Sequence, residues 1–184
     1  RVMADDRGEV EKYTDLDDAR RQLLARAMSE NTRYKRIYGA DNFDYRNFDL
    51  IVDSATITPE MLAELILDEF GKYTADPAAY SSPRLRLSPL AIYPTASEDE
   101  MAREEGDITV TVINGSHYLT GGGRALLDAI REKPATVAAR LADDAGKAEA
   151  EARISALGKN GAAILRGIGD KWGFEYPEIP EVYR

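Results

Sequence analysis

The sequence predicts an α/β protein, because helix-periodic and strand-like segments alternate along its 184 residues. An apolar stripe at helical spacing runs through residues 14–39, and the short branched run FDLIVDSAT follows it. A second helix begins with a proline, Pro59, in its first turn. Later, the alternating run DITVTVI leads into Asn114-Gly115, a strong hairpin-turn signal.

The composition narrows the function classes. Hydrophobic residues make up 43% and charged residues 31% of the chain, which is ordinary for a folded protein. The formal net charge of -9 argues against a broad electrostatic contact with nucleic acid, although a local site needs only a few arginines. The absence of cysteine excludes disulfides, zinc–thiolate sites and cysteine nucleophiles. No run approaches the ~20 apolar residues of a membrane span, so we expect a cytoplasmic protein that contacts no membrane.

The first helix is predicted from Thr14 as N-cap, with Asp17 three residues later, to Gly39 as its stop. FDLIVDSAT is typical of a buried parallel strand. The helix that starts at Pro59 ends near residue 70, after which periodicity is lost and residues 73–82 are predicted as a linker.

The second half begins with a strand-like run, LRLSPLAIY, and a charged helical turn, SEDEMAREEG. The hairpin DITVTVI and SHYLT comes next, followed by three glycines, the helix RALLDAIREK and the strand ATVAARLAD. One helix over residues 145–167 and an extended aromatic tail complete the chain. We therefore expect segments 1–72, 83–144 and 145–184 on either side of the linker.

Arg26, Glu30 and Arg33 form the first candidate site. Their spacing of four and seven residues places them on one face of the first helix. Arginine forks match phosphate oxygens, and a carboxylate between them can fix their rotamers or bind a ribose or base amine. The alternative is a solvated helix face with an ordinary ion pair.

The run ARAMSENTRYKRIYGADNFDYRNFDLIVDSATITPEMLAELI resembles cytidylate kinases, especially the archaeal-type members. In that family an arginine-rich helix contacts the acceptor nucleotide and the transferring phosphate, and an acidic residue between the arginines contacts the nucleotide. Arg26, Glu30 and Arg33 fall on those positions, so the resemblance implies catalytic roles for the arginines and substrate binding for Glu30. Asp53 matches the end of the family's strand, as a structural residue or a neighbour of the nucleotide pocket.

The family's phosphate-binding loop, G-x-x-x-x-G-K-[ST], does not occur in the chain. The chain begins at Arg1 rather than Met, and we expect that a P-loop half precedes it or that a partner chain supplies it. A third interpretation is that the kinase-like segment is a relic used for binding. Residues 1–13 match the family's mobile lid, with Arg1 and Arg7 as candidates for covering the donor.

The second candidate site is the run Gly121, Gly122, Gly123 and Arg124 between a strand and a helix. Glycines let backbone amides approach a phosphate closely, and the amides at a helix start attract negative charge. Arg124 would add a guanidinium fork. The alternative is a tight turn that needs positive φ.

The run DITVTVINGSHYLTGGGRALLDAIREKPATVAARL resembles the ParB/sulfiredoxin superfamily, whose members bind a nucleotide's phosphates at this turn. Gly121, Gly122, Gly123 and Arg124 match the turn, although most members have histidine where this chain has Gly123. In some kinase members an upstream acidic residue serves catalysis, and the run Glu98-Asp99-Glu100 lies in a suitable region.

Other polar residues are predicted to be structural. His117, the single histidine, is expected to be a partly exposed strand residue, and Trp172 a packing group. Four aspartates that could indicate Mg²⁺ have no spacing of a metal-binding loop and are explained by turn chemistry, so no metal is assigned to protein ligands: Asp41, Asp44, Asp49 and Asp53.

Together the resemblances imply the C-terminal part of a P-loop kinase-like α/β layer followed by a small α+β ParB-like domain. The expected reaction is transfer of the ATP γ-phosphoryl group, with Mg²⁺, to a nucleoside monophosphate or to a hydroxyl on a nucleotide or DNA base. Phage 5-hydroxymethyluracil DNA kinases exemplify such a DNA acceptor. The alternatives are a non-catalytic nucleotide-binding or regulatory ParB-like module and a ParB-like part that is itself the kinase.

Overall fold

The computed structural model describes residues 13–80, 82–176 and 179–183 of the chain. In these ranges it contains six α-helices and a six-stranded mixed sheet, so the predicted α/β class is confirmed. None of these helices is both long and apolar enough to cross a bilayer. The lid candidates Arg1 and Arg7 lie outside the described ranges.

Two compact units divide the chain, Arg1–Asn47 and Phe48–Arg184. The first contains one long helix, α1, over Leu16–Tyr38. Its N-cap is Asp15, whose Oδ1 accepts a hydrogen bond from the Asp18 amide at 2.7 Å, so the cap lies one residue later than predicted. A carboxylate there also interacts favourably with the positive end of the helix dipole.

The loop that follows α1 is held against the helix by polar contacts. Asn31 is 6% exposed, and its Oδ1 accepts a hydrogen bond from the Asn42 amide at 2.7 Å. Lys35 Nζ lies 2.7 Å from Asp41 Oδ2, and this contact lowers the pKa of Asp41. The predicted stop at Gly39 is confirmed, with φ of 67°.

The second unit is built on one sheet. Its strands are Leu50–Val52 (β1), Arg84–Leu87 (β2), Ile92–Tyr93 (β3), Thr109–Ile113 (β4), Ser116–Gly121 (β5) and Val137–Leu141 (β6). Their spatial order is β1-β2-β6-β4-β5-β3. The pairs β1–β2, β4–β6 and β3–β5 are parallel, whereas β2–β6 and β4–β5 are antiparallel. The parallel setting predicted for β1 is therefore confirmed, but β1 is an edge strand and half-buried rather than buried.

Five helices complete the second unit: Pro59–Ala75 (α2), Glu98–Met101 (α3), Gly123–Glu132 (α4), Asp144–Leu157 (α5) and Asn160–Trp172 (α6). Thr58 caps α2 with Pro59 in its first turn, as predicted. The single helix predicted over 145–167 is two helices, because Gly158 adopts a positive φ of 47° between α5 and α6.

The expected linker, residues 73–82, falls inside the second unit. Its first residues extend α2 as far as Ala75, and Leu50 pairs with Arg84 across it in the β1–β2 register. Residues on both sides of 73–82 thus share one sheet.

The core of this unit is apolar and includes part of the tail. Tyr183 is 1% exposed, its hydroxyl donates to the carbonyl of Pro94, and its ring meets Tyr118 edge to face at 6.0 Å. Burial raises the pKa of Tyr183. Strands and helices contribute the other fully buried side chains, among them Leu85, Leu87, Ile92, Val110, Leu119, Leu126 and Ile130.

Candidate functional site

The three α1 residues of the first candidate site lie on one side of the helix, as their spacing predicts. Arg26 Nε donates to Glu30 Oε1 at 3.2 Å, and these side chains are 63% and 45% exposed. The Arg33 guanidinium lies 5.9 Å from the centroid of the Tyr34 ring. This geometry is compatible with two arginines that bind a phosphate and are oriented by the Glu30 carboxylate. It is equally compatible with an ordinary solvated ion pair.

Gly122 and Gly123, at the start of α4, are places where backbone approaches backbone, whereas a Cβ on Gly121 would lie 2.7 Å from the hydroxyl oxygen of Thr109. Gly122 has φ of 76°, and a Cβ on it would lie 2.7 Å from the Ile108 amide nitrogen. A Cβ on Gly123 would lie 2.6 Å from the Cα of Met101. The segment between α3 and β4 therefore fills the space that a side chain would need, and the same segment occupies the approach to the start of α4.

Arg124 is engaged by this segment as well. Its amide donates to the Glu104 carbonyl at 3.0 Å, and its Nε donates to the Ala102 carbonyl at 2.9 Å. The side chain is still 56% exposed and lines a shallow cleft of about 320 Å³ beside Arg131 and Trp172. A phosphate at the turn would have to share Arg124 with these carbonyls.

A larger cleft, which sequence reasoning missed, lies between α2 and the sheet. Its volume is about 650 Å³, within the usual range of ligand sites. Four cationic side chains line it, Lys72, Arg84, Arg86 and Arg140, together with three acidic ones and several small apolar residues. We call it the arginine cleft.

The register of the sheet brings the arginines together. Arg84 pairs directly with Arg140 in the antiparallel β2–β6 ladder, and Arg86 pairs with Ala138 two residues along. Direct partners in a ladder share a face of the sheet, so the three arginines lie on one face. Like charges directly opposite each other destabilise a sheet, so the acidic residues that line the cleft, or a bound anion, must offset this repulsion.

A buried ion pair fixes Arg86. Its Nε donates to Glu69 Oε1 at 3.1 Å, and the two side chains are only 22% and 7% exposed. Lys72 Nζ lies 3.2 Å from the same oxygen, and its contacts with Asp68 and Glu69 raise the pKa of Lys72. Both cations are therefore held in place by α2, with Glu69 as the shared anchor.

The contact made by Arg140 is much more open. Its Nη2 lies 3.3 Å from Asp107 Oδ2, with side chains 55% and 75% exposed. Such an exposed pair contributes at most about 1 kcal/mol, so a ligand oxyanion could displace Asp107 at little cost. Arg140 can therefore bind a ligand, whereas Arg86 is held by its buried ion pair with Glu69.

The cleft adjoins the turn that the sequence singled out. Ala125, the residue after Arg124, lines it, as do Gly106, Asp107 and Ile108 from the segment that packs on Gly122. The sequence carries one signal for it, the alternation Arg84-Leu85-Arg86, which places two arginines on one face of a strand.

Three other residues named in the sequence analysis, Asp53, Glu98 and Glu100, have structural partners. Asp53 accepts hydrogen bonds from the amides of Ala55 and Ser88, which ties the end of β1 to the end of β2. Glu98 pairs with Lys171, and Glu100 closes a capping box with Ser97 on α3.

His117 is half-buried on β5, as predicted. Burial lowers its pKa, partly offset by the charge of Asp53 and the carbonyl of Ala91. Trp172 is also half-buried. In the part of the chain that the structure describes, no group of three or more His, Asp or Glu side chains is arranged to hold a metal ion.

No protein-family model, curated protein or solved structure matches this chain.

Proposed function

We propose that this chain is a nucleotide-binding module and that the arginine cleft holds the phosphates of its ligand. The single observation that carries the proposal is the Arg84–Arg140 register pair, joined on the same face by Arg86. The chain has a net charge of -9, so a cleft with more cationic than acidic side chains is a local exception. Arginine is the residue best suited to bidentate contact with phosphate oxygens.

The rest of the lining suits the uncharged part of a nucleotide. Ala75, Ala125, Ala138 and Ile108 are small or apolar residues that line the cleft together with the cations. Ligand sites commonly combine mostly apolar walls with a few placed polar groups. The ParB/sulfiredoxin resemblance supports the same ligand class, because the turn at Gly121–Arg124 adjoins the cleft through Ala125.

Titration calorimetry with ATP, CTP and inorganic pyrophosphate tests this proposal. Removing Arg84 and Arg140 together, as Arg84→Gln/Arg140→Ser, should weaken binding of these ligands at least about tenfold, since a hydrogen bond to a charged group contributes roughly 1.5–3 kcal/mol. Arg21→Ser is the matched control, because Arg21 is an exposed, ion-paired arginine that does not line the cleft. Circular dichroism verifies that each variant is folded.

The outcomes separate the two phosphate sites. If ligand binding is lost in Arg124→Ala and retained in the Arg84/Arg140 variant, the phosphates bind at the α4 turn and not in the arginine cleft. No binding of ATP, CTP or pyrophosphate by the wild-type chain would contradict the nucleotide-binding proposal itself.

A phosphotransferase is the second candidate function, favoured by the Arg26–Glu30 contact with Arg33 on the same side of α1. Arg26 and Arg33 would neutralise the transferring phosphoryl group of ATP, and Glu30 would bind the acceptor, a nucleoside monophosphate or a hydroxymethylated DNA base. This reaction would also need Mg²⁺ and a loop that binds the donor phosphates, supplied by a preceding segment or a partner chain. In such a complete enzyme Arg33→Ala should lower kcat/KM by orders of magnitude, and an unchanged value would exclude that role.

A further inference from the structure

The helix α2 carries an exposed apolar stripe. Ile66, Leu67, Phe70 and Tyr73 recur at spacings of three and four residues and are 46%, 69%, 61% and 42% exposed. The buried side of the helix is different and contains Glu69, 6% exposed. Large apolar side chains that line one helix face and stay in solvent mark an interaction surface.

An acidic edge runs beside the stripe. Glu60, Glu64 and Asp68 follow one another at four-residue intervals and are exposed. Together with Glu69 they give α2 four acidic residues against the single cation Lys72. A partner for this surface should therefore be an amphipathic helix with an apolar face and basic flanks.

The helix α1 of this chain has that chemistry. Six cations, Arg20, Arg21, Arg26, Arg33, Lys35 and Arg36, stand against three acidic residues on it. Its exposed apolar side chains are Leu16 (74%), Leu23 (40%), Leu24 (56%), Met28 (64%), Tyr34 (38%), Ile37 (56%) and Tyr38 (70%).

We propose that the apolar stripe of α2 is a docking site for α1 of a second copy of this chain. The charges of the two helices are opposite in sign, and both helices expose large apolar side chains. A two-fold symmetric dimer makes the contact twice, α1 on α2 and α2 on α1, so both apolar faces of both copies are buried. This inference does not depend on the arginine cleft.

Sedimentation equilibrium of the full chain tests the dimer. Leu67→Ser and Phe70→Ser should each weaken dimerisation by about thirtyfold, the cost typical of a central apolar contact. Both residues are more than half exposed, so neither substitution opens the core. Met61→Ser is the matched control, because Met61 is 42% exposed on the same helix but lies on the side opposite the stripe.

Charge reversal provides an independent arm. Glu64→Lys/Asp68→Lys should weaken the dimer, and a second reversal on α1 should restore it, either Arg21→Glu/Lys35→Glu on one edge or Arg26→Glu/Arg33→Glu on the other. The proposal is overturned by a monomeric wild type, including one in which α1 covers α2 within a single chain. It is equally overturned by a dimer that is insensitive to Phe70→Ser, or by failure of both α1 reversals to restore association.

Discussion

Arg84 and Arg140 stand directly opposite each other in the antiparallel β2–β6 ladder, two like charges on one face of one sheet. Protein sheets normally place opposite charges or apolar groups at such positions. The acidic residues that line the cleft reduce this repulsion: Asp107 lies 3.3 Å from Arg140, and Glu69 is paired with both Arg86 and Lys72. An oxyanion bound between the two guanidinium groups would accept hydrogen bonds from both. The nucleotide-binding proposal centres on this pair for that reason.

The pair should therefore lower stability while it supports binding. Arg140→Thr is expected to leave the free energy of unfolding unchanged or raise it by up to about 1 kcal/mol in low salt, because it removes like-charge repulsion and adds a β-branched residue. Loss of the exposed Asp107 contact should cost little. Urea unfolding without ligand measures the change, and high salt should reduce it. A clear destabilisation would mean that Arg140 serves the fold rather than a ligand.

The buried Arg86–Glu69 pair should behave in the opposite way. Arg86→Met removes the guanidinium from Glu69, 6% exposed, and leaves that carboxylate with Lys72, 3.2 Å away. The loss in the free energy of unfolding should therefore approach but not exceed the roughly 3–5 kcal/mol of a fully unpaired buried charge. Adding Glu69→Leu should recover much of that loss, since it removes the buried carboxylate that has lost one of its two cationic partners. Urea unfolding of the two single variants and the double variant forms the required cycle. Strictly additive losses would show that the pair does not act as a unit.

Two glycines with the same backbone conformation, Gly122 before α4 and Gly115 in the β4–β5 turn, should respond differently to substitution. Gly122 and Gly115 have φ of 76° and 80°, but a Cβ on Gly115 meets nothing within 4 Å, whereas one on Gly122 meets the backbone of Asp107 and Ile108. Gly115→Ala should therefore cost about 1 kcal/mol, for the left-handed conformation alone. Gly122→Ala should cost several times more, because backbone cannot move aside as a side chain can. Equal losses in thermal unfolding would contradict the close approach.

His117 predicts the pH dependence of stability near neutrality. Burial lowers its pKa in the folded chain below the ordinary value of 6.5. The unfolded chain then binds a proton that the folded chain does not, so the free energy of unfolding is constant above about pH 6.5 and falls below it, by up to about 1.4 kcal/mol for each pH unit, until the folded pKa is reached.

The sequence contains one histidine, so His117→Gln should remove this dependence. Urea midpoints measured between about pH 7.5 and 5.5 stay above the carboxylate titrations and test it. A wild-type midpoint that does not change across this range would contradict a lowered pKa.

Local chemistry made much of the fold predictable. Pro59 and Gly39 mark helix ends, and Asn114-Gly115 marks the hairpin, because each of these signals acts within a few residues. The competition between Thr14 and Asp15 for the α1 cap was not decided by residue type alone, since both can cap a helix.

The arginine cleft could not be predicted because it depends on pairing between distant segments. The alternation Arg84-Leu85-Arg86 shows which residues share a face, but only the β2–β6 register brings Arg140 to them. In the same way, three glycines before a helix fit an anion site and a tight turn equally well. The approach of Met101 and Ile108 to Gly123 and Gly122 is a tertiary fact that the local pattern does not contain.

The measurement that tests the nucleotide-binding proposal most directly is an NMR titration of the arginine Nε–H signals with ATP, using the ¹⁵N-labelled full chain. We expect the signals of Arg84 and Arg140 to shift in a saturable way, with that of Arg21 unchanged as the control outside the cleft. Saturable shifts confined to Arg124, or no saturable shift at any arginine, would contradict the account.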